Sequence, residues 1–251
     1  MEHPQLAVVV PVHNEADNIA PLIAEINAAL NGVCEFEIIY VDDGSTDRTP
    51  DVLQRIAAAN PGLRVLHHRQ CCGQSASIIS GVAAARAAII ATLDGDGQND
   101  PADIPALLSA FREAPGNDRA LIAGHRAKRR DTWIKRITSR IANRVRARLL
   151  GDDTPDTGCG LKVFARAAFV DLPRFDHMHR FLPALMIRAG GRVISIPVNH
   201  RPRERGASKY GTLDRLWVGI FDLIGVMWLQ RRIRRPVVDD VTPISGEGSG
   251  K

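Results

Sequence analysis

Two carboxylates one residue apart, Asp94 and Asp96, follow an apolar run from Ala87 to Leu93 and are separated and followed by glycines. The run has the composition and length of a short buried strand. Residues two apart on a strand point the same way, so the pair would aim at one ion just past the strand end, where open α/β sheets take their ligands. Hard divalent cations prefer oxygen, and magnesium-type ions bind one or two carboxylates together with substrate phosphates. Two other interpretations compete. Asp-Gly is an ordinary turn pair, and a calcium loop would begin the same way. The calcium pattern fails at its sixth position, Asn99, and at its twelfth, Pro105.

Two more polar segments stand in equivalent places. Pro11-Val12-His13-Asn14-Glu15 follows the apolar run Leu6 to Val10, and Asp42-Asp43-Gly44-Ser45-Thr46-Asp47 follows Phe36 to Val41. The elements between them alternate. Helical spacing runs from Asp17 to Leu30 through Ile19, Leu22, Ile23 and Ile26. Thr46 is the candidate cap of a second helix, with Val52, Leu53 and Ile56 on its inner face. Arg64 to His67 reads as a third strand and Gln74 to Ala85 as a third helix. Such alternation predicts a parallel sheet with helices on both faces. Parallel strands put all three polar segments at one edge of that sheet. No G-x-G-x-x-G follows the first strand, which argues against a dinucleotide-binding enzyme.

Beyond Pro101 the pattern loosens into a helix from about Asp103 to Glu113, a strand Ala120 to Ala123, and a basic helix from about Trp133 to Leu150. A Gly/Asp-rich loop, Gly151 to Gly160, then precedes a short strand, another helix, and a late strand, Val193 to Pro197. The 251 residues suffice for one substantial core, and 45% hydrophobic with 24% charged residues is ordinary for a globular protein. The net charge of +5 conceals local clusters: Arg126 to Arg148, Arg201 to Lys209, and Arg231 to Arg235. Clustered arginine implies anionic partners. Cys34, Cys71, Cys72 and Cys159 form no C-x-x-C pair and read as reduced thiols of a cytosolic protein. No signal peptide is evident, and no stretch reaches the roughly 18 apolar residues of a spanning helix. His67-His68 and His177-Met178-His179 lack a third ligand and read as structural or surface histidines rather than metal sites.

The segment Pro11 to Glu15, the run Val-Asp-Asp-Gly-Ser-Thr-Asp from Val41, the run Asp94 to Gln98, and Asp156-Thr157-Gly158-Cys159-Gly160 together resemble family 2 glycosyltransferases of the GT-A fold. The nearest resemblance is to the polyprenyl-phosphate branch, which includes dolichol-phosphate mannosyltransferase, over roughly Leu6 to Arg232. The resemblance implies an inverting, metal-dependent transfer of a mannose- or glucose-like sugar from a GDP- or UDP-sugar to a polyprenyl phosphate. It implies that Pro11, His13 and Glu15 line the nucleotide pocket and that Asp42 and Asp43 hold base and ribose. It places Asp94 near the nucleotide, and Asp96 and Gln98, with Asp94 as a further candidate, around Mg²⁺ or Mn²⁺. Family members often carry alanine at the position of Gly95. Arg126, in Gly124-His125-Arg126, is expected to meet phosphates, and Arg136 or Arg140 to help seat the acceptor phosphate. Asp156 is expected to position sugar or acceptor, with a base role second, because a lipid phosphate is already anionic. Arg203, Ser208 and Lys209 match a basic loop that closes over the diphosphate.

Trp217 to Leu229 is almost wholly apolar, is interrupted by Asp222, and is followed by Arg231-Arg232. It is too short to span a bilayer and suits the interface, where the basic flank attracts anionic lipid; the alternative is a core helix on the sheet. The expected organisation is a catalytic GT-A domain over 1–211, an amphipathic helix over 212–235 and a disordered tail over 236–251. Peripheral association with the inner face of the cell membrane, alone or through a small membrane partner, follows. Two rivals remain: a soluble family 2 transferase acting on a saccharide or protein hydroxyl with Asp156 as base, and a basic nucleic-acid-binding module. The second lacks any recognisable nucleic-acid motif and leaves three acidic strand ends unexplained.

Overall fold

The computed structural model of the chain describes residues 4–126, 146–202 and 212–233. Seven strands form one sheet: β1 (Leu6–Val12), β2 (Phe36–Asp42), β3 (Leu63–His67), β4 (Ile89–Thr92), β5 (Ala120–Arg126), β6 (Lys162–Ala165) and β7 (Arg192–Val198). Their order is β3-β2-β1-β4-β6-β5-β7. The first four strands are mutually parallel, β6 runs antiparallel between β4 and β5, and β7 is parallel to β5. The helices are α1 (Ala16–Leu30), α2 (Thr49–Ala59), α3 (Gln74–Ala84), α4 (Ile104–Glu113), α5 (Arg166–Val170), α6 (Leu182–Arg188) and α7 (Thr212–Arg231).

Strand β1 explains why its sequence is continuously apolar. Leu6, Val8 and Val10 face a core built with Ile19, Leu22 and Ile26 of α1, Leu53 of α2 and Phe111 of α4. Ala7 and Val9 face the opposite core, with Ile78 and Val82 of α3, Phe169 of α5, Leu185 of α6 and Val226 of α7. A central parallel strand is covered on both sides and has no polar face to display. Register carries the strand ends together: Val12 lies beside Asp42, and Val9 beside Thr92. The sheet is also tied at its far edge. Buried Glu37 accepts from Arg86 N (2.7 Å), Ala87 N (3.1 Å) and Arg86 Nε (3.1 Å), fixing the α3–β4 connection.

Several expectations are corrected. β4 ends at Thr92, so Asp94 and Asp96 stand in a turn, with Gly97 at φ +73°, rather than on a pleated strand. The turn and ligand-site interpretations of this segment are therefore compatible. Thr46 does not cap α2; its N–H bonds Asn14 Oδ1 at 2.7 Å, while Asp47 Oδ1 accepts from Thr49 N at 2.9 Å. Helical residues 146–150 are the described end of the basic helix, and the rest of it lies outside the described residues, as does the tail from 234. No described helix is long and apolar enough to cross a membrane.

Candidate functional site

The ends of β1 and β2 are joined by side chains. Asn14, at φ +57°, accepts from Thr46 N through Oδ1, and its own N–H donates to Ser45 Oγ at 2.8 Å. Asparagine tolerates the left-handed region better than most residues. Glu15 N donates to Thr49 Oγ1 (2.9 Å), and the Glu15 carboxylate accepts from Asn18 (2.6 Å). His13 Nδ1 lies 2.8 Å from the Asp43 carbonyl.

Both aspartates ending β2 are buried. Asp42 pairs with His67 Nδ1 at 2.7 Å and accepts from Ser45 N. Asp43 accepts from Cys72 N (2.9 Å), Gly73 N (2.8 Å) and the Cys71 thiol (3.2 Å), and pairs with His68 Nδ1 (2.7 Å). Burial opposes ionisation of Asp43, but these hydrogen bonds outweigh it and lower its pKa. His68 Nε2 is in turn 2.9 Å from Ser80 Oγ. Ligand atoms of Asp43, His68 and Cys72 lie within 4.8 Å of one another. That set is softer than the oxygen donors of the 94–98 turn and is already internally bonded. His67 and His68 thus serve the acidic strand end rather than standing free on the surface.

The 94–98 turn differs. Asp94 has one side-chain donor, Gln74 Nε2 at 2.8 Å. Burial and the Asp96 carboxylate push its pKa up to about 6, against the pull of Lys162 and Arg126. Among the described residues, Asp96 Oδ1 accepts from Gln98 N (3.1 Å) alone, and Gln98 Nε2 donates to the Arg201 carbonyl (3.4 Å) while its Oε1 meets no donor. Two close carboxylates and an open amide oxygen form a donor set suited to a hard divalent cation. Space is tight: a Cβ on Gly160 would strike the Asp94 carboxylate, and one on Gly95 would strike Val12 Cγ1. An alanine at 95 therefore needs the end of β1 to shift.

Arg126, at the end of β5, forms a two-pronged pair with Asp156: Nε to Oδ2 at 2.6 Å and Nη2 to Oδ1 at 2.8 Å. Both side chains are largely buried. Beneath them is a residue the sequence analysis missed, Lys162, whose buried ammonium donates to the Cys159 carbonyl. Burial lowers its pKa while Cys159, Asp94 and Asp156 oppose that. The position of Lys162, two residues past Gly160 at the start of β6, was the available signal. A pocket of about 270 Å³ opens here, bounded by Gln74, Asp94, Gly158, Lys162, His179 and Arg180. His179 Nδ1 is 2.8 Å from Ser75 Oγ, and burial plus the charges of Lys162 and Arg180 push its pKa down to about 3, so it is neutral. His177 is 3.2 Å from Asp222 of α7.

Arg136, Arg140, Arg203, Ser208 and Lys209 lie outside the described residues. The basic segment does begin beside the turn: Arg201 N donates to the Gln98 carbonyl at 2.9 Å, and its guanidinium meets Glu25 at 2.6 and 3.1 Å. Helix α7 packs one face on the core, as the core-helix alternative expects, and turns another face outward. Val226, Leu223 and Met227 pack on the α3–α6 core, and the Leu229 carbonyl accepts from Arg188. Ile220, Phe221, Ile224 and Trp228 face outward, with Trp228 58% exposed and Arg232 over its ring.

Comparison with known proteins agrees with this fold. The family described as Glycosyl transferase family 2 matches residues 7–172. The chain is 35% identical to dodecaprenyl-phosphate galacturonate synthase of Rhizobium johnstonii, over 92% of this chain and 69% of that protein. It is also 35% identical to undecaprenyl-phosphate 4-deoxy-4-formamido-L-arabinose transferase of Edwardsiella ictaluri, over 87% of this chain and 66% of that protein. The chain thus spans about two thirds of the length of these relatives. Among solved structures, glucosyl-3-phosphoglycerate synthase from Mycobacterium tuberculosis with Mn²⁺, UDP and phosphoglyceric acid superposes with a TM-score of 0.64 at 22% identity, over 92% of this chain and 80% of that one. A mannosyltransferase from Pyrobaculum calidifontis with GDP-Man and Mn²⁺ gives 0.61 at 19% identity, over 94% and 67%. At those identities the likeness is one of fold.

Proposed function

Because the chain belongs to glycosyl transferase family 2, we propose that it transfers a sugar from a nucleoside-diphosphate sugar to a polyprenyl phosphate, with inversion at the anomeric carbon. A phosphate oxygen of the acceptor forms the new bond to that carbon. The bond to the nucleoside diphosphate breaks, and its electron pair leaves on the terminal phosphate.

The observation that carries the phosphate-acceptor reading is the Arg126–Asp156 pair. A hydroxyl acceptor needs a base, and Asp156, the carboxylate placed for that role, has both oxygens bound by one guanidinium. A phosphate acceptor arrives anionic and needs no deprotonation. Asp156 then serves by fixing Arg126 at the end of β5. The paired arginine brings a positive charge to the site while its orientation is held before substrate binds.

On the donor side, Asp42 and Asp43 present a fixed edge for base and ribose, with Pro11, His13 and Glu15 beside them. Asp96 and Gln98, with Asp94, would hold Mg²⁺ or Mn²⁺, which when bound offsets charge developing on the departing diphosphate. Arg203 and Lys209 supply further positive charge to the diphosphate, with Ser208 as a hydroxyl donor, and Arg136 and Arg140 supply it to the acceptor phosphate. The outward apolar strip of α7, ended by Arg231 and Arg232, rests in the membrane interface and brings the site to its lipid substrate on the cytoplasmic face.

The test is a panel of radiolabelled GDP- and UDP-sugars offered to the purified chain with undecaprenyl or dolichyl phosphate, with and without Mn²⁺. Metal-dependent label in the lipid phase is the expected result. Transfer only to soluble hydroxyl acceptors would overturn the lipid assignment.

A further inference from the structure

Most cations of the described site are already matched. Arg126 is held by Asp156, Arg201 by Glu25, Arg146 by Asp152, and Lys162 by the Cys159 carbonyl and the neighbouring Asp94. Arg180 is the exception on the pocket wall. It is half-buried between the 3-10 turn Met178–Arg180 and α6, and it lines the cavity that ends on Asp94. Its guanidinium has no acidic or hydrogen-bonding partner among the described residues. An arginine partly withdrawn from water without a counter-ion is costly unless a ligand supplies one.

Its surroundings indicate which ligand. On the wall, Arg180 carries a permanent positive charge and the Lys162 amine adds hydrogen-bond donors, against the single carboxylate of Asp94, and the Arg126–Asp156 pair cancels. His179 is neutral. Ser75 Oγ receives the His179 N–H (3.3 Å) and sits 2.8 Å from Nδ1, an arrangement that favours the tautomer with the proton on Nε2. That nitrogen has no hydrogen-bond partner among the described residues, so it is available as a neutral donor to an oxyanion. The cavity is bounded by Pro11 and Asp94 of the donor side but not by Asp96 or Gln98, the other two residues assigned to the metal. An anion bound at Arg180 therefore lies away from Asp96 and Gln98.

We propose that Arg180, assisted by His179, is the seat of the acceptor's phosphate. This rests on the lipid-phosphate reading above and adds to it a specific anion seat on the far side of Asp94. Arg126, locked by Asp156, then acts on charge between the two substrates rather than as the main acceptor contact. Arg180 approaches phosphate oxygens as a fork and holds one of them toward the anomeric carbon.

The experiment measures binding to the full chain of farnesyl phosphate, of farnesol, and of Mn²⁺ with UDP, for the unaltered protein, Arg180→Gln and Arg180→Lys. The unaltered protein is expected to prefer farnesyl phosphate to farnesol. Arg180→Gln is expected to weaken farnesyl phosphate at least tenfold and to erase that preference, leaving Mn²⁺–UDP affinity unchanged; Arg180→Lys recovers part of the loss. Undiminished farnesyl phosphate binding by Arg180→Gln, in a protein that still binds Mn²⁺–UDP, overturns the seat but not the lipid-phosphate function. No farnesyl phosphate preference in the unaltered protein overturns that function itself. A parallel arm compares UDP-glucuronate with UDP-glucose. Selective loss of the uronate in Arg180→Gln, with farnesyl phosphate retained, would reassign the seat to a sugar carboxylate and overturn the proposal.

Discussion

Asp43 and Asp94 occupy equivalent places, each just past a parallel strand at the same edge of the sheet, yet their surroundings drive them in opposite directions. Asp43 is surrounded by donors, including two backbone N–H groups, and its pKa is lowered. Asp94 has one amide donor and a second carboxylate beside it, and its pKa is raised to about 6. The first carboxylate is satisfied by the protein and works as a fixed acceptor. The second carries charge that Lys162 and Arg126 offset only in part, which is the condition under which a cation binds well. Within one sheet edge, the Asp43 end is satisfied in advance and the Asp94 end is not; in the proposed function the first is the nucleotide end and the second the metal end.

The sharpest break comes at the metal end. Asp96→Asn removes a charged oxygen without changing shape and is expected to reduce turnover on the order of 10³-fold, with little change in melting temperature. Substantial metal-dependent activity in that variant would contradict the assignment. Asp43→Ala, by contrast, strips an acceptor from the buried N–H groups of Cys72 and Gly73 and from His68. A stability loss on the order of 3 kcal/mol is expected in urea titration, together with weaker nucleotide binding. If the variant is as stable as the original, the network around Asp43 is not what holds the β2 end.

Acidification reads a third term. The folded pKa of His179, about 3, lies below the ordinary 6.5. The unfolded chain therefore binds the extra proton, and this contribution to stability is present at neutral pH and lost as pH falls below 6.5. The slope approaches about 1.4 kcal/mol per pH unit for one linked proton. His179→Gln is expected to flatten the stability–pH curve between pH 7 and pH 5, and an unchanged curve would rule out a buried neutral histidine.

The smallest effect inverts the Asp43 result. With chelator present, Asp94→Asn is expected to stabilise the protein by about 1 kcal/mol at pH 7.5, after allowance for partial exposure. The sign follows from the raised folded pKa: ionising Asp94 is unfavourable in the fold, at a cost complete above pH 6 and absent below the unfolded value near 4. The gain in thermal denaturation should therefore shrink as the pH approaches 4. Stabilisation of the same size at pH 4 would point to a cause other than charge.

Much of the donor side was legible because its information is local. Apolar runs of five to seven residues ending in Asp, Asn and Gly mark parallel strands and their ligand-side turns, and β1, β2 and β3 fall within two residues of the expected limits. The helical spacing from Ile19 to Leu30 likewise coincides with the buried face of α1. The Thr46 cap failed because the helix begins three residues later, at Thr49, and the Thr46 hydroxyl is engaged instead by the side chain of Asn14, 32 residues earlier. Lys162 was missed because its one local mark, the place two residues past Gly160, does not by itself signal burial; a carboxylate distant in sequence and a carbonyl make that burial tolerable.

The sequence by itself determined the alternating architecture, the family, and the strand ends at which the acidic residues meet, because strand and helix periodicity and turn chemistry are read from near neighbours. Only the tertiary structure decided how those charges are shared. It joined Arg126 to Asp156 across 30 positions, gave Asp43 its donors from residues 68–73, raised the pKa of Asp94, and left Arg180 without an acidic partner among the described residues. Charge compensation depends on distances of a few ångströms between segments far apart in the chain, and burial magnifies each of those distances into a difference in chemistry.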